Sequence, residues 1–267
     1  MLDAGEFLPV VSRWRRIRAC RHSREIELRL LPLLVRDRTF VDVGANRGTY
    51  SYAALGSGAV FVVALEPHDH LAAVLRRSLG RRGTVHAAAA SSTAGTAILS
   101  VPTVDGVQRD TRSSIAELPD DQLSRSFQVP TITLDDLGIP KDAIIKIDVE
   151  GHEEAVLEGA KQLLSERRAT AFLIESEERQ APGTPIRLIN LMISADYQGW
   201  AIQGALLIDV HKFEVESHQS RVDVAVVSRG ESRPDSYANN FIFIRTDESP
   251  NFKTAASEAG FSFENDA

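Results

Sequence analysis

The chain has 267 residues, of which 43% are hydrophobic and 25% are charged, and its formal net charge is −7 at pH 7. This composition is typical of a globular protein with a sizeable core, and the length fits a single α/β domain. Proteins that embrace nucleic acid usually present a basic face. The net negative charge therefore predicts that nucleic acid is not a partner.

Three further features bear on redox chemistry and location. Cys20 is the only cysteine, which excludes a disulfide within the chain and a cysteine-based metal cluster. No window approaches the ~20 uninterrupted apolar residues of a transmembrane helix. The N-terminus also lacks the basic-then-apolar order of a secretory signal. We expect a cytoplasmic protein with no transmembrane segment.

Predicted helices and strands alternate along the chain. Residues 22–35 carry apolar side chains at helical spacing, with Pro32 as a break, and residues 39–43 form a short apolar run typical of a buried strand. The predicted elements that follow are a helix at 49–56, a strand at 59–65, a helix at 67–79, a strand at 84–88, extended segments at 96–101 and 127–133, a strand at 143–147, a helix from 148 to about 164, a strand at 169–174, a helix at 185–196, and strands at 200–209 and 240–244. Polar residues 104–126 are predicted to form a loop over one edge of the sheet.

This alternation predicts an α/β fold with a mostly parallel central sheet and helices on both faces. We divide the chain into an N-terminal helical segment at 1–36, one domain at 37–246, and a polar tail at 247–267 that we expect to be frayed. Ligands of such sheets bind beyond the carboxyl ends of the strands, where the strand order reverses. Three predicted strands end in polar residues, and we expect these ends to share one rim.

The first of these strand ends is the sequence Asp-Val-Gly-Ala-Asn-Arg-Gly at residues 42–48. Gly44 and Gly48 allow a sharp turn and a close approach of a ligand to the backbone. A dinucleotide site would have a glycine in place of Asn46, to make room for a pyrophosphate. The loop therefore favours S-adenosylmethionine, which has no phosphate and whose amino-acid end could contact Asp42 and Asn46. A glycine turn with an asparagine cap is the alternative.

The second strand end is Glu66, which follows Gly48 by 18 residues. A carboxylate at this place can accept hydrogen bonds from both hydroxyls of an adenosine ribose, in S-adenosylmethionine or in NAD. The alternative is an acid favoured by the dipole at the start of a helix. Because of the loop that precedes it, we favour the ribose role.

The third strand end is the run from Asp148 to Glu150, followed by His152. Side chains alternate along a strand, so Lys146 and Asp148 point to the same side, and Asp148 lies at the strand tip. Glutamates in the first turn of a helix are explained by the helix dipole, which stabilises them by roughly 0.3–1 kcal/mol. His152 shares a helix face with apolar residues, so a histidine at the edge of the core is as well supported as a catalytic one.

Four segments carry a resemblance to a known family: VDVGANRGTYS, ALEP, ITLDDL at 132–137, and KIDVEGHEEAVLEGA at 146–160. Over about residues 38–180 the chain resembles the FkbM-type family of S-adenosylmethionine-dependent methyltransferases. The resemblance implies a Rossmann-like class I methyltransferase fold with an antiparallel C-terminal strand. It also implies O-methylation, often of sugars, glycolipids or natural products, and thus a small-molecule or saccharide acceptor.

The resemblance implies roles for individual residues as well. It places Asp42, Gly44, Asn46 and Gly48 at the methionine end of the donor, Glu66 at the ribose, Ala88 within segment 87–91 at the adenine, and Asp148 and Glu150 at the reacting centre. In one departure, the end of the third strand is alanine-rich and lacks the acidic or amide side chain that many class I enzymes use on adenine N6. A backbone contact is the expected replacement.

Methyl transfer to a hydroxyl depends on alignment of the reacting atoms, and a base that takes the hydroxyl proton helps by ~10²–10⁴-fold. The candidate catalytic residues are Asp148, Glu150 and His152, and the choice among them stays open. Mg²⁺ bound by Asp148, Glu150 and Glu175 is an alternative, but no compact metal motif is present and we predict no metal site. We predict an S-adenosyl-L-methionine-dependent O-methyltransferase. An NAD-linked oxidoreductase and a catalytically inactive cofactor-binding protein are the alternatives.

Overall fold

The computed structural model describes residues 25–104, 107–108, 124–219 and 237–264. Residues 1–24 of the predicted N-terminal helical segment and most of the predicted loop at 104–126 lie outside this part of the chain. No helix among the described residues is long and apolar enough to cross a membrane.

The structure forms strands and helices that we number in chain order. The strands are β1 (Thr39–Val43), β2 (Phe61–Leu65), β3 (Gly83–His86), β4 (Ala89–Ala90), β5 (Gly95–Val104), β6 (Val107–Gln108), β7 (Ser124–Ile132), β8 (Ala143–Ile147), β9 (Ala169–Glu175), β10 (Tyr197–Gln203), β11 (Leu206–Asp209), β12 (Asn240–Arg245) and β13 (Ser262–Phe263). The α-helices are α1 (Leu31–Leu34), α2 (Thr49–Gly56), α3 (Asp69–Leu79), α4 (Glu153–Glu158), α5 (Lys161–Ser165), α6 (Thr184–Ser194), α7 (Val215–His218) and α8 (Ser249–Glu258). Short 3₁₀ helices lie at Ile26–Arg29, Gly80–Arg82, Asp135–Leu137 and Val210–Lys212.

A nine-stranded sheet with the order β13-β11-β10-β12-β9-β8-β1-β2-β3 forms the centre of the fold. Strands β3, β2, β1, β8 and β9 run parallel to one another. Strand β12 is inserted antiparallel between β9 and β10. The chain moves from β1 to one side through β2 and β3, and β8 continues on the other side. The strand order therefore reverses between β1 and β8, where the carboxyl ends leave a crevice.

Helices cover both faces of this sheet, as predicted. Helices α1, α2, α3 and α8 pack on one face together with Phe40 and Ile144, whereas α4, α5 and α6 pack on the other face together with Val41. Because side chains alternate along a strand, Asp42 on β1 and Lys146 on β8 point towards the face of Phe40 and Ile144. Two charged side chains thus enter the core under α2.

A smaller, four-stranded sheet with the order β4-β7-β5-β6 lies beside the main sheet. Its main part is the antiparallel pair β5–β7, and its small core contains Ala89, Leu99, Val101 and Val129. The predicted extended segments at 96–101 and 127–133 are confirmed. Strand β5 extends to Val104 and strand β7 begins at Ser124, so each is longer than the predicted segment. These strand ends and the separate strand β6 lie within the range 104–126 that was predicted to be a loop.

The prediction that residues 247–267 form a frayed polar tail is wrong. Helix α8 and strand β13 lie in this range, and β13 pairs with β11 at the edge of the main sheet. The Trp200 ring on β10 packs against Phe252 at 5.5 Å and against Phe263 at 5.6 Å between ring centroids. The polar residues in this range are mostly exposed, and a few aromatic side chains are enough to bind the helix to the sheet.

The helix predicted to run from 148 to about 164 is also corrected, because it is divided into α4 and α5. A Cβ atom on Gly159, between the two helices, would lie 2.1 Å from the carbonyl oxygen of Ser91. The Ser91 backbone therefore packs directly against the division between the helices. Only glycine permits this approach.

We expect the Phe252→Ala substitution to lower the free energy of unfolding by about 3–5 kcal/mol, because it removes a buried ring from the contact with Trp200. Urea denaturation measures the loss. The control is Ser257→Ala on the exposed side of the same helix, which should change stability by less than about 0.5 kcal/mol. A loss below about 1 kcal/mol for Phe252→Ala would mean that α8 is not bound to the sheet in solution.

Candidate active site

A cleft of about 610 Å³, part of it open to solvent, lies at the carboxyl ends of β1, β2 and β8. It is lined by most of the residues that sequence analysis singled out, namely Gly44, Asn46, Glu66, Ala88, Asp148, Glu150 and His152. The expectation that three polar strand ends share one rim is thus met.

Backbone amides hold the carboxylate of Glu66 in one orientation. The Asn46 amide donates to Oε2 at 2.7 Å, and the His68 amide donates to Oε1 at 2.8 Å. Glu66 is only 4% exposed, and Asn46 has the left-handed backbone that brings its amide to the carboxylate, with φ +48°. The two amides thus fix a hydrogen-bond acceptor at the edge of the cleft, which Glu66 helps to line.

The loop after β1 and the turn after β8 meet at Gly44. The Asp148 amide donates to the Val43 carbonyl at 3.0 Å, and the Gly44 amide donates to the Leu65 carbonyl at 3.1 Å. A Cβ atom on Gly44 would lie only 1.9 Å from the Asp148 carbonyl oxygen. This glycine therefore allows the strand end that carries Asp148 to approach the loop that carries Asn46.

A buried lysine supports Asp148 from inside the sheet. The Lys146 ammonium donates to Oδ2 of Asp148 at 2.7 Å, and it lies 4.2 Å from the centroid of the Tyr50 ring. Burial works to lower the pKa of Lys146, but the carboxylates of Asp148 and Asp42 outweigh it, and the pKa is raised. Lys146 therefore remains a cation. The sequence signal for this role is a single lysine within the apolar strand AIIKI.

Two residues predicted to line the ligand site lie behind the cleft instead. Asp42 is buried under α2, where its Oδ2 accepts a hydrogen bond from the Ser51 hydroxyl at 2.6 Å. Burial raises the pKa of Asp42, although Lys146 opposes this. A Cβ atom on Gly48 would meet side-chain atoms of Leu75 and Tyr52 at 2.5 and 2.8 Å. Asp42 and Gly48 therefore face helices α2 and α3, on the side of the loop away from the cleft.

Glu150 and Asp148 differ in their surroundings although both line the cleft. Glu150 has a left-handed backbone, with φ +55°, and the Gln180 side-chain amide donates to its Oε2. Burial, and then the charge of Asp148, raise the pKa of Glu150 to about 8, although Arg179 opposes the shift. Glu150 therefore carries a proton at neutral pH for much of the time, whereas Asp148 is paired with the Lys146 ammonium.

His152 is joined to the segment that follows β4. Its Nε2 lies 3.0 Å from the hydroxyl of Ser91, which is 61 positions earlier in the chain. Burial lowers the pKa of His152, with Glu158 opposing, so the imidazole is neutral near pH 7. Sequence analysis did not foresee the partnership with Ser91.

A buried polar cluster at the ends of β9 and β12 was also missed. The Glu177 carboxylate accepts from the Tyr237 hydroxyl at 2.8 Å, from the Asn239 amide at 3.2 Å and from the Arg179 guanidinium. The cluster holds the loop that carries Gln180 to Glu150. The two consecutive asparagines at the start of β12 were the available signal. Within the described part of the chain, no three acidic, histidine or cysteine side chains are arranged to bind a metal ion.

The comparison with known families decides the class of this protein. The model described as the methyltransferase FkbM domain matches residues 42–198, which is more than half of the 267-residue chain. The chain belongs to the FkbM methyltransferase family. The resemblance found in the sequence is confirmed, and the protein is a methyltransferase with the mixed α/β, Rossmann-like class I fold described above.

Among curated proteins, no match to this FkbM methyltransferase is found. Similar solved structures include an O-methyltransferase from Bacillus cereus in complex with SAH, with 14% identity, 88% of each chain covered and a TM-score of 0.43. Another is precorrin-6y C5,15-methyltransferase from Geobacter metallireducens GS-15, with 16% identity, 66% of this chain and 73% of that chain covered and a TM-score of 0.37. A third is the 23S rRNA methyltransferase ErmE, with 12% identity, 89% and 75% covered and a TM-score of 0.41.

We expect Gly44→Ala to destabilise the protein by clearly more than the roughly 1–2 kcal/mol of a left-handed non-glycine residue, because the new methyl group collides with the Asp148 carbonyl. Gly138→Ala is the matched control, since Gly138 has φ +60° and a methyl group added there would have no neighbour within 4 Å among the described residues. Urea denaturation compares the two variants. Equal losses of stability would contradict the close contact between Gly44 and Asp148.

Proposed function

We propose that this FkbM methyltransferase transfers the methyl group of S-adenosyl-L-methionine to a hydroxyl group of a sugar, a glycolipid or a natural product. The observation that carries the donor assignment is the fixed Glu66 carboxylate beside Asn46, at the switch point of an α/β sheet in a methyltransferase family. The O-methylation and the class of acceptor rest on the resemblance of the sequence motifs.

The residues of the cleft fit a phosphate-free adenosyl compound. Glu66 would accept hydrogen bonds from the ribose hydroxyls, Asn46 and the backbone at Gly44 would contact the methionine end, and the wall that includes Ala88 would face the adenine. Asn46 occupies the space that a pyrophosphate needs, which argues against NAD. When bound, S-adenosyl-L-methionine supplies an electrophilic methyl group on a positively charged sulfur.

Asp148 is the residue best placed to act as the base. It lies on the cleft, and its ion pair with Lys146 fixes one carboxylate oxygen. In the proposed reaction it takes up the proton that the acceptor hydroxyl loses. Glu150, with a pKa of about 8, is protonated too often at neutral pH to serve as the main base. It is better suited to donate a hydrogen bond to an acceptor oxygen.

Several predictions from the sequence remain predictions at this point. The exclusion of nucleic acid rests on the net charge of −7, and the proposed cytoplasmic location is supported by the presence of a single cysteine. Catalysis without a metal ion is likewise proposed.

A catalytically inactive cofactor-binding protein would bind S-adenosylhomocysteine but transfer no methyl group, so radiolabelled methyl transfer to candidate glycosides separates it from an enzyme.

Isothermal titration calorimetry with S-adenosylhomocysteine tests the donor assignment. We expect binding to the wild-type protein and a loss of about 1–3 kcal/mol of binding free energy in Glu66→Ala, the usual cost of losing charge-assisted hydrogen bonds. Glu66→Gln keeps one acceptor oxygen but turns its NH₂ group towards one of the two backbone amides that the carboxylate accepts from, so it should also lose affinity. No heat of binding to the wild type at millimolar ligand would refute the proposed function, and unchanged affinity in Glu66→Ala would refute the ribose role.

The base assignment is tested with Asp148→Asn. The asparagine oxygen can still accept a hydrogen bond from Lys146, so the protein should keep its fold. Its affinity for S-adenosylhomocysteine should change by less than about threefold. Turnover should fall by ~10²-fold or more if Asp148 takes the proton. The comparison of turnover with calorimetric affinity decides the matter. Equal losses in both would assign Asp148 a structural role.

A further inference from the structure

An aromatic ring inside the core contacts the lysine that supports Asp148. Tyr50 on α2 presents its ring to the Lys146 ammonium, with 4.2 Å between Nζ and the ring centroid, and both side chains are buried. The ammonium also donates to Oδ2 of Asp148 at 2.7 Å. Attraction between a cation and the negative face of a ring is strongest where water is excluded. The ring therefore restrains the ammonium that fixes the Asp148 carboxylate.

The Tyr50 ring is itself anchored through its hydroxyl group. The hydroxyl donates to Oε1 of Glu27 at 3.1 Å, and the same oxygen accepts from the Asn240 side-chain amide on β12 at 2.9 Å. Glu27 is only 6% exposed and lies in the 3₁₀ helix Ile26–Arg29. Hydrogen bonds in a low-dielectric interior polarise one another, so donation to a carboxylate makes the ring more negative. The segment before β1 is thereby connected to the ion pair.

Several carboxylates compete for the Lys146 ammonium. Strands β1 and β8 bring Asp42 and Lys146 into register, and the lysine is attracted by the carboxylates of Asp148, Asp42 and Glu175. A flexible lysine side chain can turn towards more than one of them. A ring that is fixed at its hydroxyl limits this movement, so Tyr50 helps to decide which carboxylate the ammonium holds.

We infer that Tyr50 is a positioning residue for methyl transfer, because its ring holds the Lys146 ammonium against Asp148 while Glu27 holds the ring. The inference rests on the proposed function, in which the oxygen–carbon bond forms, the sulfur–carbon bond breaks and Asp148 takes the hydroxyl proton. The described residues that line the cleft do not include Tyr50 or Glu27. Both therefore act through Lys146 and touch neither donor nor acceptor.

The test compares Tyr50→Phe with Tyr50→Leu in two assays, radiolabelled methyl transfer to an acceptor of the wild type and calorimetric binding of S-adenosylhomocysteine. Phenylalanine keeps the ring, so turnover should stay within about threefold of the wild type. Leucine removes the ring, and turnover should fall by about tenfold or more. The affinity for S-adenosylhomocysteine should change by less than about threefold in both variants, because the ring lies outside the cleft.

Tyr197→Leu is the matched control for the loss of a buried tyrosine. The Tyr197 hydroxyl donates to the Ala169 carbonyl at 2.8 Å, at the amino end of β9 and thus at the end of the sheet opposite the cleft. This variant should be less stable than the wild type but should keep its turnover.

Fluorination of the ring separates its electrostatic contribution from its packing. Phenylalanines that carry increasing numbers of ring fluorines, introduced at position 50, keep nearly the same shape while the face of the ring becomes less negative. Turnover should therefore fall stepwise along the series, with an unchanged affinity for S-adenosylhomocysteine. The series also decides the matter if Tyr50→Leu does not fold.

The outcomes separate this inference from the proposed function. A wild type that does not bind S-adenosylhomocysteine, or that binds it and methylates no candidate acceptor, would overturn both. With an active wild type, equal turnover along the fluorinated series would overturn the inference alone. A loss of turnover in Tyr197→Leu as large as that in Tyr50→Leu would do the same, because it would show a general effect of lost packing.

Discussion

The contact between Gly44 and the backbone of Asp148 is the constraint on which the candidate site depends. Strands β1 and β8 pair in parallel at the point where the strand order reverses, and the Asp148 amide donates to Val43 in continuation of that pairing. Because a side chain at position 44 would collide with the Asp148 carbonyl, glycine alone lets the two strand ends meet. The loop that orients Glu66 and the turn that carries Asp148 thus form one cleft.

The same pair of strands carries the charges that prepare the site. Asp42 and Lys146 are register partners on β1 and β8, and the Oδ1 atom of Asp42 is buried with no hydrogen-bond partner among the described residues. Burying ions is costly unless they are paired with good geometry. Lys146 serves both Asp42 and Asp148, so a single cation stabilises the core of the loop and orients the carboxylate on the cleft.

The sequence predicted the elements whose signals are local. Strand β8, helix α2 and the polar strand ends at Asn46, Glu66 and Asp148 are where apolar runs and glycines indicated. Asp42 was predicted to contact the ligand, but it lies under α2. The sequence does not show which face of the sheet α2 covers, and this decides whether a strand residue faces a ligand or a helix. The tail was misjudged since α8 needs only a few buried side chains, among them Phe252. The contact of His152 with Ser91 joins distant segments, and no spacing rule reveals it.

A crystal structure of the protein with S-adenosylhomocysteine tests the central claim most directly. The account predicts that the ribose hydroxyls lie within hydrogen-bond distance of the Glu66 carboxylate, that the homocysteine end lies along the loop of Gly44 and Asn46, and that the sulfur lies on the side of Asp148. A ligand bound away from Glu66, or a nucleoside whose sulfur lies far from Asp148, would contradict it.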